Sequence, residues 1–290
     1  MPQKDRVLIT GANGLLGRHF INLYKDAYDI HAIVRIKPDQ AIDGVTYHFV
    51  DLSKDWDIEA LPADISTICH LAQSDKFRDF PDNALDVFDV NVASTAKLLD
   101  YAHKTGVKNF IYASSGGVYA QAEHAFHENS PVSNPNALGY YLGSKMCGEI
   151  LVSNYSSLMT ISILRFFFIY GAGQKRSMLL PRLVDNIRNG KAVTLQKPDG
   201  LSINPIHAND ATKAVHACIG RSESATYNIA GKNVYTLKEI ATIIGETTNA
   251  EPTFEYQDQK AANIVADINA MKADLHIPEI SFEDGLKDIL

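Results

Sequence analysis

Little in this 290-residue chain points to a membrane, a nucleic acid or an oxidising compartment. Positive charge is in deficit: 27 Lys and Arg face 34 Asp and Glu, for a net charge of −7. That balance argues against nucleic acid or an anionic membrane as the main partner. Cysteine is scarce. Cys69, Cys147 and Cys218 are odd in number, far apart and without a CxxC pair. A disulfide framework is excluded, and reduced thiols in the cytoplasm are expected. Long hydrophobic runs are missing too. The most apolar stretch, ISILRFFFIYG, is interrupted by Arg165 and is too short to span a bilayer. The opening MPQKDRVLITG runs straight into a strand pattern with no signal-peptide stretch. No internal repeat stands out. His124 and His127 form no ligand set with nearby carboxylates, so no metal site is expected.

What is present is an ordinary globular composition, 46% hydrophobic and 21% charged. The length suits one large domain or two unequal ones. Apolar runs at Arg6–Thr10, Ile30–Val34, Tyr47–Val50, Thr67–Ala72, Asn109–Ser114 and Thr160–Arg165 read as strands. Between them, Leu15–Tyr24, residues 84–104 and residues 141–155 have helical spacing. In the segment 84–104, Leu85, Phe88, Val92, Leu99 and Ala102 are expected on one apolar face. This alternation predicts an α/β fold, a Rossmann-type doubly wound parallel sheet with helices on both faces. After about residue 170 the pattern loosens. Helices near 179–188, 208–219 and 237–245 alternate with short strands at Ala192–Leu195 and Tyr227–Ile229. The expected division is a nucleotide-binding domain over 1–170 and a smaller substrate-binding α/β region over 171–290, with some chain crossing back.

TGANGLLG places Gly11, Gly14 and Gly17 three residues apart between the first strand and first helix. The first glycine permits a tight turn. The second lets backbone approach a pyrophosphate, and the third lets helix and strand pack closely. The helix start then offers free N–H groups and a positive dipole to phosphate. The pattern predicts dinucleotide binding. At the end of the second strand, where an acid would bind the ribose hydroxyls of NAD, HAIVRIK presents Arg35, with Lys37 nearby. A guanidinium there suits a 2′-phosphate, so NADP(H) is favoured and NAD(H) is the alternative. Asp51 with Leu52 follows the third strand, where a carboxylate suits the adenine amino group.

The stretch GYYLGSK sets two tyrosines before a lysine. Tyr141 and Lys145 are four apart and share a helical face, whereas Tyr140 is rotated about 500° from Lys145. Tyr141 is therefore the better partner. A free tyrosine has a pKa of about 10, and a nearby ammonium is expected to lower it. YASSGGVYA, residues 112–120, ends the fifth strand, and strand C-termini are where open parallel sheets bind ligands. Ser114 and Ser115 both qualify there as hydroxyls.

In this order the chain resembles an extended short-chain dehydrogenase/reductase of the NAD-dependent epimerase/dehydratase type. The matching elements are TGANGLLG, Asp51-Leu52, HLA at 70–72, DVNVASTAKLL at 89–99, YASSGGVY, YYLGSK, LRFFFIYGAGQ at 164–174 and INPIHANDATKA at 203–214. YNIAG at 227–231 and ISFEDGLKDI near the C-terminus resemble the closing segments. The resemblance implies Ser115 as the catalytic hydroxyl, four residues before Tyr119, Tyr141 as acid/base and Lys145 as its partner. It puts Asn91 in the active-site hydrogen-bond relay and reads His207 as structural. It implies that Gly11, Asn13, Gly14, Leu15, Leu16, Gly17, Arg35, Asp51, Leu52, Leu71, Ala72, Tyr141 and Lys145 hold the cofactor. It further implies a nucleotide-activated sugar as substrate. A homodimer through helices 84–104 and 141–155 is also implied.

Three departures shape the expected function. Gly116 and Gly117 follow Ser115 where the dehydratase branch carries an Asp-Glu pair, which disfavours 4,6-dehydration. Phe168 replaces an Asn of the pattern RxxNVYGPG, and Ile203-Asn204 replace an Arg-Asp that binds diphosphate. Ser115, Phe168, Arg176, Arg182 and Asn204 are the substrate-side candidates, with Lys175 as a further cation. The expected activity is hydride transfer at C4 of a sugar, with 4-keto reduction favoured over 4-epimerisation with retained NAD. A non-catalytic NAD(P) sensor is the rival from another class. Retention of Ser115, Tyr141 and Lys145 argues against it.

Overall fold

Residues 4–38 and 41–290 are described by a computed structural model of the chain. The first three residues of MPQKDRVLITG fall outside them. Backbone proximity separates the chain into two units. The first comprises Met1–Val118, Ser133–Arg165 and Thr212–Tyr227; the second comprises Tyr119–Val132, Phe166–Ala211 and Asn228–Leu290.

The apolar runs become strands β1 (Arg6–Thr10), β2 (Asp29–Val34), β3 (Val45–Phe49), β4 (Thr67–His70), β5 (Asn109–Ser115) and β6 (Thr160–Phe166). Strand Ala225–Ile229 joins them in one seven-stranded sheet, in the order Ala225–Ile229, β6, β5, β4, β1, β2, β3. The pairs β1–β2, β1–β4, β2–β3 and β4–β5 are parallel. Parallel strands need crossovers, and the covering helices are α1 (Leu15–Tyr24), α2 (Ala84–Phe88), α3 (Ser94–Thr105) and α4 (Pro135–Ser153). The chain runs from β1 through β2 to β3 on one side, then crosses back to β4 on the other side of β1. Ligands of open α/β sheets bind at such a reversal, beyond the strand C-termini. Leu8, Ile33, Ile68, Leu98, Leu99, Phe110 and Val152 are buried together in the core of this unit. Burial of each such side chain contributes about 1.5–3 kcal/mol.

The segment expected as one helix over 84–104 has a π turn, Asp89–Ala93, between α2 and α3. The wider turn shifts the helical phase. The expected apolar face is therefore corrected. Leu85 is 77% and Phe88 46% exposed and Val92 is half-buried, whereas Leu99 and Ala102 are buried as expected, together with Val87, Val90 and Leu98. The helix containing Tyr141 is also divided, because Gly139 has φ 67° and ψ 174°. GYYLGSK thus opens on a backbone break, and Tyr140 restarts the helix.

The second unit contains helices Leu179–Arg188 and Leu237–Thr248, the latter with a capping box formed by Thr236 and Glu239. Strand Val193–Lys197 pairs in parallel with Phe254–Lys260. Leu183, Val184, Leu195, Ile240 and Ile244 share a buried cluster with Phe282 and Leu286. No helix among the described residues is long and apolar enough to cross a membrane.

Candidate active site

The glycine turn has the geometry its spacing requires. Gly11 has φ 68°, and a Cβ there would stand 2.8 Å from the Ala72 amide. A Cβ on Gly17 would stand 2.4 Å from the Gly11 carbonyl oxygen. Gly14 closes the turn with its amide on the Gly11 carbonyl, 2.8 Å, and caps α1 without a side-chain hydrogen bond. The first turn of α1 carries no acid. Its outward N–H groups are thus left to an anion, so the residues present fit a dinucleotide pyrophosphate. Leu15 and Leu16 form the half-buried start of α1. Asn13 donates to the Ile36 carbonyl at 3.0 Å, tying the turn to the end of β2.

Arg35 lies just past β2 and pairs with Asp75 at 3.3 Å. A carboxylate therefore stands beside the guanidinium that carried the NADP(H) expectation. Asp51 accepts from the Ser53 amide at 3.0 Å and hydroxyl at 2.8 Å. Burial pushes its carboxyl up, but the Ser53 hydrogen bonds and the Arg35 charge bring it below the usual carboxylate value. Leu52 and Ala72 are buried beside half-buried Leu71. Lys37 is exposed.

A buried chain of hydrogen bonds underlies this turn. Thr95 donates to the Asn91 carbonyl at 2.8 Å, so its oxygen accepts from His70 Nε2 at 2.9 Å. The other nitrogen, Nδ1, then accepts from Thr10 at 2.6 Å, and Thr10 accepts from the Ala72 amide at 3.1 Å. Burial, with the Lys145 charge, lowers His70 to about 3, so it is a neutral Nε2–H imidazole. Asn91 extends the chain by accepting from the Ser74 amide and donating to Ser144, both at 2.9 Å. Ser144 donates to the Tyr141 carbonyl at 2.7 Å.

Ser115, Tyr141 and Lys145 all belong to the first unit, on β5 and α4. Ser115 hydrogen-bonds the Tyr141 phenol, and its Oγ also accepts from the Gly117 amide at 3.2 Å. The Tyr141 hydroxyl donates to Gln73 Oε1 at 2.9 Å. Lys145 is only 2% exposed, and its Nζ donates to the Ala113 carbonyl at 2.9 Å. Burial lowers the Lys145 ammonium to about 8, opposed by the Glu149 charge. The Tyr141 phenol moves opposite to expectation. Burial pushes it up to about 12, and only the Ser115 hydrogen bond pulls it down. Tyr140 stacks on Phe80 with centroids 4.9 Å apart, away from this cluster. Ser114 points to a different partner, the buried Glu149 carboxylate.

The substrate-side candidates lie in the second unit, apart from Ser115. Asn204 is buried. Its amide donates to the Gly231 and Ala266 carbonyls at 3.2 and 2.9 Å and accepts from the Ala266 amide at 3.0 Å. Arg176 pairs with Asp185 and donates to the Ile289 and Pro181 carbonyls, which ties two ends of that unit together. Arg182 is exposed. Phe168 has φ 42°, an unusual value for an aromatic residue. His207 sits against Asp288 at 3.0 Å and edge-on to Tyr170. Asp210, His276 and Glu279 converge closely enough to suggest a cation site. Both Asp210 oxygens, however, already accept from His276 Nε2 and the Glu279 and Ile280 amides.

Residues 7–230 match the model of the NAD dependent epimerase/dehydratase family. The UDP-glucuronate 4-epimerase of Thermodesulfobacterium geofontis is 25% identical over 303 residues, covering 97% of this chain and 93% of that one. The UDP-N-acetylglucosamine 4-epimerase from Methanobrevibacter ruminantium M1, solved in complex with UDP-N-acetylmuramic acid, superposes with TM-score 0.88. It is 19% identical and is matched over 99% of this chain and 97% of its own. The UDP-glucuronic acid 4-epimerase from Bacillus cereus, solved with UDP-glucuronic acid and NAD, gives TM-score 0.85 at 22% identity, covering 98% of this chain and 97% of that one. With the glycine turn, the serine, the tyrosine and the lysine in place, the chain belongs to the NAD dependent epimerase/dehydratase family.

Proposed function

We propose that the protein is a nucleotide-sugar 4-epimerase that retains NAD. The observation that carries this reading is the Ser115–Tyr141–Lys145 cluster on the same unit as a glycine turn shaped for a pyrophosphate. NAD, when bound, supplies the acceptor and donor of hydride at sugar C4. Tyr141 takes the proton from the C4 hydroxyl and returns it to the carbonyl oxygen. Ser115 donates a hydrogen bond to the same oxygen as its charge develops. Burial holds the phenol high, near 12, so proton uptake needs positive charge beside it. Lys145 is the cation its own helix provides.

Epimerisation is preferred over net ketoreduction because the related proteins named above are 4-epimerases. Loss of water from the sugar is disfavoured, since Gly116 and Gly117 offer no acid next to Ser115. NAD is preferred over NADP because the Bacillus cereus relative is solved with NAD and because Asp75 places negative charge beside Arg35. The same reading puts the protein in the cytoplasm as a homodimer. Leu85, Phe88 and Ile150 give the two helices exposed apolar side chains for that contact. A solution mass of twice the chain's checks it.

The test is to measure NAD and NADP affinity, then to incubate the protein with a panel of UDP-sugars and resolve the products. Interconversion of two C4 epimers without net change in NADH is the expected result. Stoichiometric oxidation of NADPH against 4-keto sugars would establish the ketoreductase instead.

A further inference from the structure

Below the reacting groups lies a charged cluster with no direct part in the proton transfer. Glu149 is buried in α4, one helical turn beyond Lys145. Its carboxylate receives Arg165 twice, from Nε at 3.0 Å and Nη2 at 2.7 Å. Ser114 donates to the same carboxylate. Arg165 is on β6 and Ser114 on β5, so one side chain of α4 grips two neighbouring strands. The grip falls where it matters. Ser114 precedes Ser115, and Ala113 accepts the Lys145 ammonium.

We propose that Glu149 is a positioning residue for the reaction: it fixes the end of β5 against α4 and supplies the negative charge that keeps buried Lys145 an ammonium. The proposal rests on the 4-epimerase reading for its kinetic consequence, but not for its electrostatic one. Among the described residues no other formal negative charge compensates Lys145. His70 on β4 is neutral, and Tyr112 on β5 offers only its ring, 5.5 Å from Nζ. Burial keeps the Tyr112 phenol protonated. Tyr141 on the same helix is protonated too. Arg165 on β6 is a second cation, held off by its bidentate pairing with Glu149. An isolated ammonium in such a site would release its proton near neutrality. A purely structural Arg–Glu pair would predict loss of stability without any change in Lys145 titration.

The experiment uses the full-length protein with matched cofactor content. Lysine is labelled with ¹⁵N at Nζ, the Lys145 signal is assigned by its loss in Lys145→Met, and its titration is followed in wild type and Glu149→Gln. The wild-type midpoint is expected near 8. The variant is expected to titrate roughly one pH unit lower, leaving about fivefold less ammonium at pH 8. Because Glu149→Gln strands Arg165, Glu149→Gln/Arg165→Met is measured as well. Replacing both charged partners restores folding without restoring the carboxylate. It too should titrate below wild type. In turnover assays the alkaline limb of kcat should move down by the same amount, with KM little changed. Unchanged Lys145 midpoints in both folded variants overturn the proposal. A shifted midpoint in a wild-type background that turns over no UDP-sugar upholds the charge assignment and counts against the 4-epimerase reading alone.

Discussion

The Tyr141 hydroxyl donates to Gln73 Oε1 at 2.9 Å, so the oxygen proposed to move the proton has an amide acceptor. An acceptor stabilises phenol over phenolate, while the Ser115 hydrogen bond favours phenolate. Gln73→Leu removes only the first influence. We expect the acid limb of kcat to move to lower pH, with activity at the optimum kept within about tenfold, the usual range of one hydrogen bond to a reacting group. An unmoved acid limb would show that Gln73 does not face the phenol during turnover.

Tyr141→Phe and Tyr140→Phe separate the two neighbours in GYYLGSK. The first should lower kcat by about 10²–10⁴, the usual weight of a general acid–base group, with nucleotide affinity retained. The second loses a hydroxyl from a ring that stacks on Phe80, and most activity should survive. Steady-state kinetics and a nucleotide-binding isotherm on both variants decide the assignment.

Lys145 has a cost in stability that pH should reveal. Its folded value, about 8, lies below the ordinary 10.5. Between those values the unfolded chain binds more protons, so stability should rise with pH over that window. Lys145→Met should remove the rise. It should also stabilise the protein at pH 7 by at most about 3 kcal/mol, less the loss of the donor to Ala113. Denaturant unfolding of both proteins at pH 7, 8, 9 and 10 provides the comparison.

Gly148 lets α4 lie against Tyr112. A Cβ there would stand 2.0 Å from the Tyr112 hydroxyl, and that ring is fully buried. Gly148→Ala should therefore destabilise by about 1–3 kcal/mol despite alanine's better helix propensity. Pairing it with Tyr112→Phe should recover part of the loss, which thermal unfolding can measure.

The parts legible in the sequence are those with a local pattern. The run RVLIT closed by glycine became β1, and the spacing of Gly11, Gly14 and Gly17 became the turn. Helical spacing alone selected Tyr141 over Tyr140, and the structure places Tyr140 on Phe80. The π turn at Asp89–Ala93 was not legible, because one extra residue per turn leaves no compositional trace. Nor was strand Phe254–Lys260. Its side chains are mostly exposed, so FEYQDQK lacks an apolar face. Gln73 and Glu149 escaped for a different reason. Their partners lie 68, 35 and 16 residues away, and only the folded sheet brings them together. The direction of the Tyr141 shift also needed the structure. Spacing identifies a lysine partner but carries no information about burial.

Hydride removal from C4 of a nucleotide sugar and its return to the same carbon leave an isotopic trace. A UDP-hexose deuterated at C4 is incubated with the protein and catalytic NAD, and both C4 epimers are isolated and analysed by NMR. The expected result is interconversion with deuterium kept at C4 in both epimers and none passed to the solvent. Conversion that stops at a single reduced sugar, driven by added NADPH, or the absence of interconversion with every UDP-hexose tried would contradict it.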